Sequence, residues 1–439
     1  MGISQILPAY AKYVTANILG MIGLSLYILA DTFFIARGIG PDGLTALNLA
    51  IPVYSFINGL GLMIGMGGAT RYSISKGNHD TDSRRFIFSQ AFCFMAVLAA
   101  LFFLGGLFLP DQLSALLGAD ESVLPHTSIY LRIILLFAPL FMCNNLLLCF
   151  VRNDGSPSLS MCAMLTGSFS NIILDYIFIF PLQWGMFGAA FATGLAPAIS
   201  MLVISVHFLK KRNQFRLYPS PIRLRRLIDI SALGVSSLIT EVSSGVVMII
   251  FNMLILDIGG NLGVAAYGII ANIALVLTSI YTGISQGIQP IISGLFGKKE
   301  SRGILAVRRL ALCTSLLFSL VSYLCTYFFA VPIVDLFNKE HDLRLEEIAV
   351  DGMHIYFLAF FFIGINIMTA ALLSSVDRPR SAFILSALRG FLLVIPAAFL
   401  LCALLGLKGI WLTLPVTEGI VALAAIFMNR RLTLFPTAS

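Results

Sequence analysis

The sequence predicts an all-α, polytopic membrane protein with twelve transmembrane helices, and three observations support this prediction. Of the 439 residues, 58% are hydrophobic and 11% are charged, whereas soluble domains carry about 25% charged residues. The mean hydropathy is +0.94. Twelve apolar segments are each long enough for a spanning helix, which needs about 20 residues. These observations exclude a water-soluble chain and a disordered one.

Short polar turns separate the twelve segments, and each segment is predicted as one helix. The longest polar stretch, Lys210–Arg226, contains seven basic residues and no acid, and it separates six segments from six. We therefore predict an N-terminal six-helix lobe at 1–209, a cytoplasmic linker at 210–227, and a C-terminal six-helix lobe with a short cytoplasmic tail at 228–439. The segments are 11–36, 44–70, 86–109, 123–151, 158–181, 186–209, 228–257, 264–295, 305–337, 349–375, 381–404 and 409–428.

The basic residues predict the orientation of the chain in the membrane. Twenty-two of the 28 Lys and Arg residues lie at the termini or in loops after even-numbered helices, and four lie in the other loops. Cytoplasmic loops are enriched in these residues, so both termini are predicted to be cytoplasmic, in a multi-pass protein of the cell (inner) membrane. Because the basic residues anchor the topology, the net charge of +7 does not indicate nucleic-acid binding, and no such partner is expected.

The two lobes repeat one another at an offset of about 220 residues. Six helices per repeat is an even number, so both copies share one orientation and are related by an axis along the membrane normal. Parallel repeats of this kind are typical of transporters, with the substrate site between the lobes. The paired positions include Gly40 with Gly260, Ala46 with Ala266, Ile64 with Ile284, Gly67 with Gly287, and Gly77 with Gly297.

Enzymatic and cofactor-dependent functions find no support in the sequence. The seven cysteines are scattered through apolar segments and have no metal-ligand spacing. Histidines and acids form no cluster at one membrane interface, as an integral membrane enzyme would require. We expect no cofactor and no enzymatic activity.

Four acids lie inside predicted helices: Asp31, Asp175, Glu241 and Glu418. An ionisable group within a membrane costs several kcal/mol, so each is a functional candidate. Asp31 and Asp175 are predicted roughly 8–11 Å below the external surface at 1.5 Å per residue. Two more polar side chains share this depth. Asn171 lies one helical turn before Asp175, and Thr193 lies on the sixth helix.

Asp31, Asn171, Asp175 and Thr193 therefore predict a cluster of hard oxygen ligands. Such ligands suit hard cations, and two close carboxylates also raise one another's affinity for a proton. The cluster suits Na⁺ or H⁺ equally, so the coupling ion stays open. The second lobe has apolar residues or proline at the equivalent positions, which argues for function rather than for a requirement of the fold. These equivalents are Phe251, Leu392, Pro396 and Leu414.

Several stretches resemble multidrug and toxic compound extrusion (MATE) transporters. They are DTFFIARGIGPDG at Asp31–Gly43, RNDGSP at Arg152–Pro157, and the following SNIILDYIFIF and WGMFGAAFATG. The resemblance covers essentially the whole chain and implies a MATE fold of two pseudo-symmetric lobes. It also implies an antiporter that exports amphipathic, often cationic organic compounds by alternating access. We expect a monomer that contacts membrane lipid.

The family's first-helix Asp, fifth-helix Asn-xxx-Asp and sixth-helix Thr form a cation site in its N-terminal lobe. By resemblance this site falls on Asp31, Asn171, Asp175 and Thr193, which would bind Na⁺ in a sodium-coupled protein.

Two family features differ here. Some relatives bend the first helix at a proline, but this chain has no proline between 11 and 36, where only Gly20 and Gly23 could permit a bend. Another branch uses a seventh-helix Glu and a tenth-helix Asp as a C-lobe cation site. Glu241 matches the first residue, whereas the tenth helix offers only Asn366.

A central substrate cavity is predicted between the lobes, although its residues could instead serve helix packing. These residues are Glu241, Asn48, Asn58, Gln286, Gln289, Met63 and Met66.

The alternative function is a flippase of lipid-linked oligosaccharides or other lipids. A pyrophosphate head group would require a strongly cationic cavity, and only Arg132 and Arg389 are predicted inside the membrane.

Overall fold

The computed structural model describes residues 3–219, 222–338, 342–430 and 434, and its regular elements there are all helices. Positions 220–221 of the predicted linker, and positions 431–433 and 435–439 of the predicted tail, lie outside the described residues. The first half contains α1 (Ile3–Gly38), α2 (Pro41–Gly77), α3 (Thr81–Phe108), α4 (Leu124–Leu136 and Ala138–Asn153), α5 (Pro157–Ile179) and α6 (Gly185–Leu209). The second half contains α7 (224–259), α8 (261–297), α9 (Ser301–Phe328), α10 (Leu343–Ser375), α11 (Pro379–Leu405) and α12 (Leu407–Arg430).

The twelve predicted spans correspond to these twelve helices. Ten helices in the described ranges are long and apolar enough to cross a membrane, and the two pieces of α4 make an eleventh. The count reaches twelve because α7 and α8 join directly as one run of 74 residues, Leu224–Gly297. At 1.5 Å per residue such a run would measure about 110 Å, far more than a bilayer. Gly260, with φ of 60° and ψ of −161°, breaks it in a conformation that side-chain-bearing residues avoid.

Individual helices differ from the predicted segments in ways that have local causes. Helix α1 begins at Ile3 rather than at 11. Helix α4 bends by 47° at Phe137, where Pro139 cannot supply a backbone N–H to the preceding turn. Helix α11 contains a π-helical turn at Leu388–Leu392. A π turn widens the helix locally and is frequent at functional sites.

Two large clusters of buried apolar side chains form the core. One contains residues between Met21 and Ile230. The other contains residues between Phe251 and Trp411, and the first turns of α1 join it through Ile6, Tyr10 and Val14. The start of α1 therefore packs with the second half. The lobe boundaries at 209 and 228 remain a prediction.

The contacts between the halves display the sequence repeat. Gly67 of α2 packs against Ile230 and Gly234 of α7, and a Cβ at Gly67 would overlap the Ile230 carbonyl oxygen. Gly287 of α8 packs in the same way against Val14 of α1. Gly67 and Gly287 are equivalent at the 220-residue offset, and so are Val14 and Gly234. The two halves therefore meet through equivalent surfaces, as a two-fold axis between them requires.

We expect Gly67→Ala to destabilise the protein by about 1–3 kcal/mol, because the added methyl group overlaps backbone that must move. The matched control is Gly268→Ala in α8, where a Cβ would meet no atom within 4 Å. That change should leave stability equal or raise it by up to about 1 kcal/mol through helix propensity. Thermal unfolding of the two variants in one detergent measures the difference. Equal midpoints for the two variants would contradict the packing argument.

Candidate functional site

The predicted cation cluster is assembled in the first half. Asp31 lies on α1, Asn171 and Asp175 lie on α5, and Thr193 lies on α6, and their exposed fractions are 6%, 0%, 0% and 4%. The Asp31 and Asp175 carboxyl groups lie against each other. In the amide orientation that satisfies both of its atoms, Asn171 donates to Asp175 Oδ2 at 3.0 Å and accepts from the Thr193 backbone N–H at 3.3 Å. The structure thus brings all four predicted residues together.

The arrangement suits a proton or a small hard cation. Two carboxylates in contact within a buried site repel one another, so a shared proton or a bound cation must offset their charge. Asp31 Oδ1 and Asp175 Oδ1 have no hydrogen-bond partner among the described residues, which leaves oxygen lone pairs available. The carboxylate oxygens and the Thr193 hydroxyl oxygen are hard ligands of the kind that Na⁺ prefers, whereas Asn171 in this orientation bonds to Asp175 and to the Thr193 backbone. The described residues form no cluster of three or more acids, His or Cys that could hold a metal ion.

Three tyrosines that the sequence did not predict as site residues surround the cluster. The Tyr27 and Tyr54 hydroxyls are 2.9 Å apart, and the Tyr130 hydroxyl lies beside the Thr193 side chain. Tyr27 lies four residues before Asp31, and that spacing placed it on the same face of α1. Tyr54 and Tyr130 come from α2 and α4, so no sequence spacing related them to Asp31.

Helix α1, which holds Asp31, is one continuous helix in this conformation. Its one proline, Pro8, lies in the first turns, well before the cluster. Gly20 and Gly23 face α5: a Cβ at Gly20 would lie 3.0 Å from Met164 Sδ, and one at Gly23 would lie 2.5 Å from Leu165 Cδ2. These glycines therefore allow α1 to approach α5 closely, and α1 is an unbroken helix where they lie.

A cavity between the halves contains four of the predicted cavity residues in its wall: Glu241, Gln286, Gln289 and Met66. Asn58 lies just outside it, contacts the Glu241 side chain, and accepts from Asn145 Nδ2 at 2.6 Å. Met63 is 6% exposed, and its backbone packs against Gly234. Asn48 is exposed on α2. The structure places these last two residues away from the cavity wall.

A hydrogen-bonded layer joins the halves below this cavity, toward the predicted cytoplasmic side. Gln289 of α8 donates to Thr70 Oγ1 at 2.8 Å and accepts from Asn153 Nδ2 at 3.0 Å. Arg71 of α2 pairs with Asp229 of α7 at 2.5 Å and with Asp377, in the turn between α10 and α11, at 2.9 Å. These contacts close the cavity at this end.

The RNDGSP motif falls between the predicted segments 123–151 and 158–181, and its first two residues belong to the helix instead. Helix α4 continues to Asn153, and Arg152 is only 1% exposed. The Asp154 side chain is fully buried. It accepts from the Tyr72 hydroxyl at 2.8 Å and from the Gln214 backbone N–H at 2.7 Å, so it fastens the linker to the first half. The predicted fourth segment ends at 151 because hydropathy is its only criterion and the next three residues are polar.

Comparison with known proteins decides the family. The family model described as MatE matches residues 17–177 and 235–400, which cover most of both halves. The chain belongs to the MATE family. A relative from Staphylococcus saprophyticus described as multidrug export protein MepA is 27% identical over 435 residues, covering 97% of this chain and 94% of the relative.

Solved MATE structures have the same fold as this MATE transporter. A crystal structure of MATE in complex with MaL6 matches with a TM-score of 0.90 and 23% identity, over 96% of this chain and 95% of that one. An outward-facing conformation of a multidrug resistance MATE family transporter of the MOP superfamily matches with a TM-score of 0.90 and 22% identity, over 96% and 94%. The likeness establishes a multi-pass, two-lobe membrane fold.

The second half of this MATE protein contains a buried ion pair. Arg389, in the π-helical turn of α11, donates to Glu418 Oε1 of α12 from Nη2 at 2.9 Å and from Nε at 3.1 Å. Asn366 of α10 donates to the other carboxylate oxygen at 2.6 Å. Glu418 is therefore a paired acid, and Asn366 binds it rather than Glu241. The Arg389 guanidinium offsets the negative charge of the Glu418 carboxylate.

Removing one partner of this pair should be costly. We expect Glu418→Leu to destabilise the protein by about 3–5 kcal/mol, because it leaves the Arg389 guanidinium buried without its carboxylate. The double variant Arg389→Leu/Glu418→Leu should recover most of that loss, because no charge is then left unpaired. Thermal unfolding midpoints of the wild type, both single variants and the double variant test this. A double variant less stable than Glu418→Leu would show that the pair does more than neutralise charge.

Proposed function

We propose that this protein is a secondary antiporter that exports amphipathic, often cationic organic compounds in exchange for Na⁺ or H⁺. The observation that carries the proposal is the buried Asp31–Asp175 pair, whose carboxyl groups lie together with Asn171 and Thr193 beside them. The description of the relatives as multidrug export proteins supports the substrate class. The protein acts as a monomer among the lipids of the cell membrane, with both termini cytoplasmic and no enzymatic activity.

Helix α1 provides a physical path from the cation cluster to the contact between the lobes. Asp31 near its end belongs to the cluster, whereas Tyr10 near its start donates to Thr314 of α9 at 2.8 Å. A rotation or shift of α1 on cation binding therefore acts on both lobes. Exchange requires that the cation bind the two conformations with unequal affinity. The contacts that close the predicted cytoplasmic end support an outward-facing assignment for this conformation.

A lipid flippase is the disfavoured alternative. A pyrophosphate head group needs several unpaired cations in the cavity wall. The wall contains the acid Glu241, and its cation Arg389 is neutralised by Glu418.

Efflux from proteoliposomes tests the exporter proposal. Ethidium efflux is measured under a Na⁺ gradient alone and under a pH gradient alone, for wild type, Asp31→Asn and Asp175→Asn. We expect one gradient to drive wild type and each variant to lose roughly tenfold or more of the driven rate, because coupling energies of 1–3 kcal/mol are typical. Asp257→Asn, an exposed acid near the end of α7, is the matched control and should pump like wild type.

The outcomes separate the parts of the proposal. Driven efflux by wild type with two inactive variants supports the cluster and names the ion. Variants that pump like wild type would show that the cluster is not the coupling site, and Glu241 would then be tested next. A wild type that moves no cation under either gradient would contradict the exporter itself.

Arg71 should hold the predicted cytoplasmic end closed. Its two ion pairs are partly exposed, so together they contribute about 0.5–2 kcal/mol. We expect Arg71→Gln to raise the labelling rate of Cys149, which is 1% exposed beside the closed layer, roughly two- to thirtyfold. Labelling with a membrane-permeable maleimide, quantified by peptide mass spectrometry, measures this rate. Arg132→Gln, an exposed position on the same helix as Cys149, should leave it unchanged. Unchanged labelling in Arg71→Gln would show that other contacts hold this end.

A further inference from the structure

Arg152 is a buried cation that touches no carboxylate among the described residues. One guanidinium nitrogen, Nη1, donates to Gln286 Oε1 at 2.5 Å and to Asn17 Oδ1. The other, Nη2, faces two sulfur atoms, Cys149 Sγ at 3.4 Å and Met66 Sδ at 3.5 Å. Nε has no hydrogen-bond partner in the described part of the chain. Thioether and thiol sulfurs are weak acceptors, so the positive charge is held mainly by two neutral amides.

Two other arginines that join helices near this cavity have carboxylate partners. Arg389 is paired with Glu418, and Arg71 with Asp229 and Asp377. A guanidinium keeps its charge in any protein environment, so burial cannot neutralise it. Burying that charge without a counter-charge costs several kcal/mol. The cost at Arg152 would be offset if an anionic group reached it during part of the transport cycle.

The position of Arg152 makes such an encounter possible. Gln286 and Met66 both line the cavity between the halves, so the guanidinium lies directly behind the cavity wall. Arg152 is on α4 and Gln286 is on α8, so their hydrogen bond joins the two halves. When the halves separate at this end, the bond must break, and Arg152 then faces the cavity opening.

We propose that Arg152 binds a carboxylate of the transported compound while the cavity is open toward the cytoplasm. A carboxylate can accept two parallel N–H bonds from a guanidinium, and such charge-assisted bonds are stronger than those to an amide oxygen. When the cytoplasmic end closes and the cavity opens to the outside, Gln286 and Asn17 replace the carboxylate and so help to release it. Glu241, across the same cavity on α7, faces the cationic part of the compound. The substrate class is therefore zwitterionic, an amine with a carboxylate, and this inference rests on the proposed export function.

A matched pair of dyes isolates the carboxylate. Rhodamine 110 carries a free carboxylate, and rhodamine 123 is its methyl ester, which is otherwise identical and cationic. Equilibrium binding of each dye is measured by fluorescence anisotropy with the full-length protein in nanodiscs, for wild type, Arg152→Gln and Arg152→Lys. We expect Arg152→Gln to weaken rhodamine 110 binding roughly tenfold or more and to leave rhodamine 123 within about twofold. Arg152→Lys should retain much of the preference for the acid, because it keeps the charge.

A second variant tests the proposal independently of the stability of Arg152→Gln. Gln286→Leu removes the amide that competes for the guanidinium. It should increase the affinity for rhodamine 110 relative to rhodamine 123. An unchanged ratio of the two affinities would contradict the proposed competition.

The outcomes also separate this inference from the proposed function. Equal weakening of both dyes in Arg152→Gln would make Arg152 a structural clamp and overturn the inference. Wild type that binds rhodamine 123 but not rhodamine 110 would overturn the inference and leave the export function standing. Arg152-dependent binding of rhodamine 110, with no driven efflux of either dye or of ethidium, would overturn the export function and support the site.

Discussion

The close contact of α1 and α2 with α7 and α8 is the constraint on which the rest of the structure depends. Within a bilayer, apolar side chains gain nothing by leaving lipid for each other, so helices associate where small residues let backbones approach. Close backbone contacts occur at two equivalent places, where Gly67 packs against Gly234 and Gly287 packs against Val14. These contacts align the polar layer next to them on the predicted cytoplasmic side, in which Gln289 meets Thr70 and Asn153. A cavity closed at one end follows from this alignment.

Helix α1 belongs to both functional regions. Its first turns are buried in the core of the second half, its middle packs on α5, and Asp31 near its end joins the cation cluster. Asn17, between these regions, accepts from Arg152. A helix with contacts along its whole length transmits a small displacement from one end to the other. This gives the proposed coupling a concrete element, and the element needs no proline at the cluster to act.

The fold accommodates buried charge in three different ways. The Arg389–Glu418 pair neutralises itself within the second half. Asp31 and Asp175 share one site, where the proposed proton or cation would offset the charge of the two carboxylates. Among the described residues, every hydrogen-bond partner of Arg152 is neutral. The asymmetry between the halves agrees with the different roles proposed for them: cation exchange in the first, and opposite walls of a zwitterion cavity between the two.

The sequence by itself determined the membrane class, the twelve helices and the repeat, and it predicted the four clustered residues for which we propose cation binding. Hydropathy and residue spacing are local properties, and Asn171 and Asp175 are one helical turn apart, so their shared face could be read from the chain. Only the tertiary structure decided which polar groups pair. It placed Glu418 with Arg389, removed Asn48 and Met63 from the cavity wall, and brought Tyr54 and Tyr130 to the cluster. It also showed that Arg152 is buried although it follows the last apolar residue of its segment. Partners on different helices are set by how those helices pack, and no spacing along the chain encodes that distance.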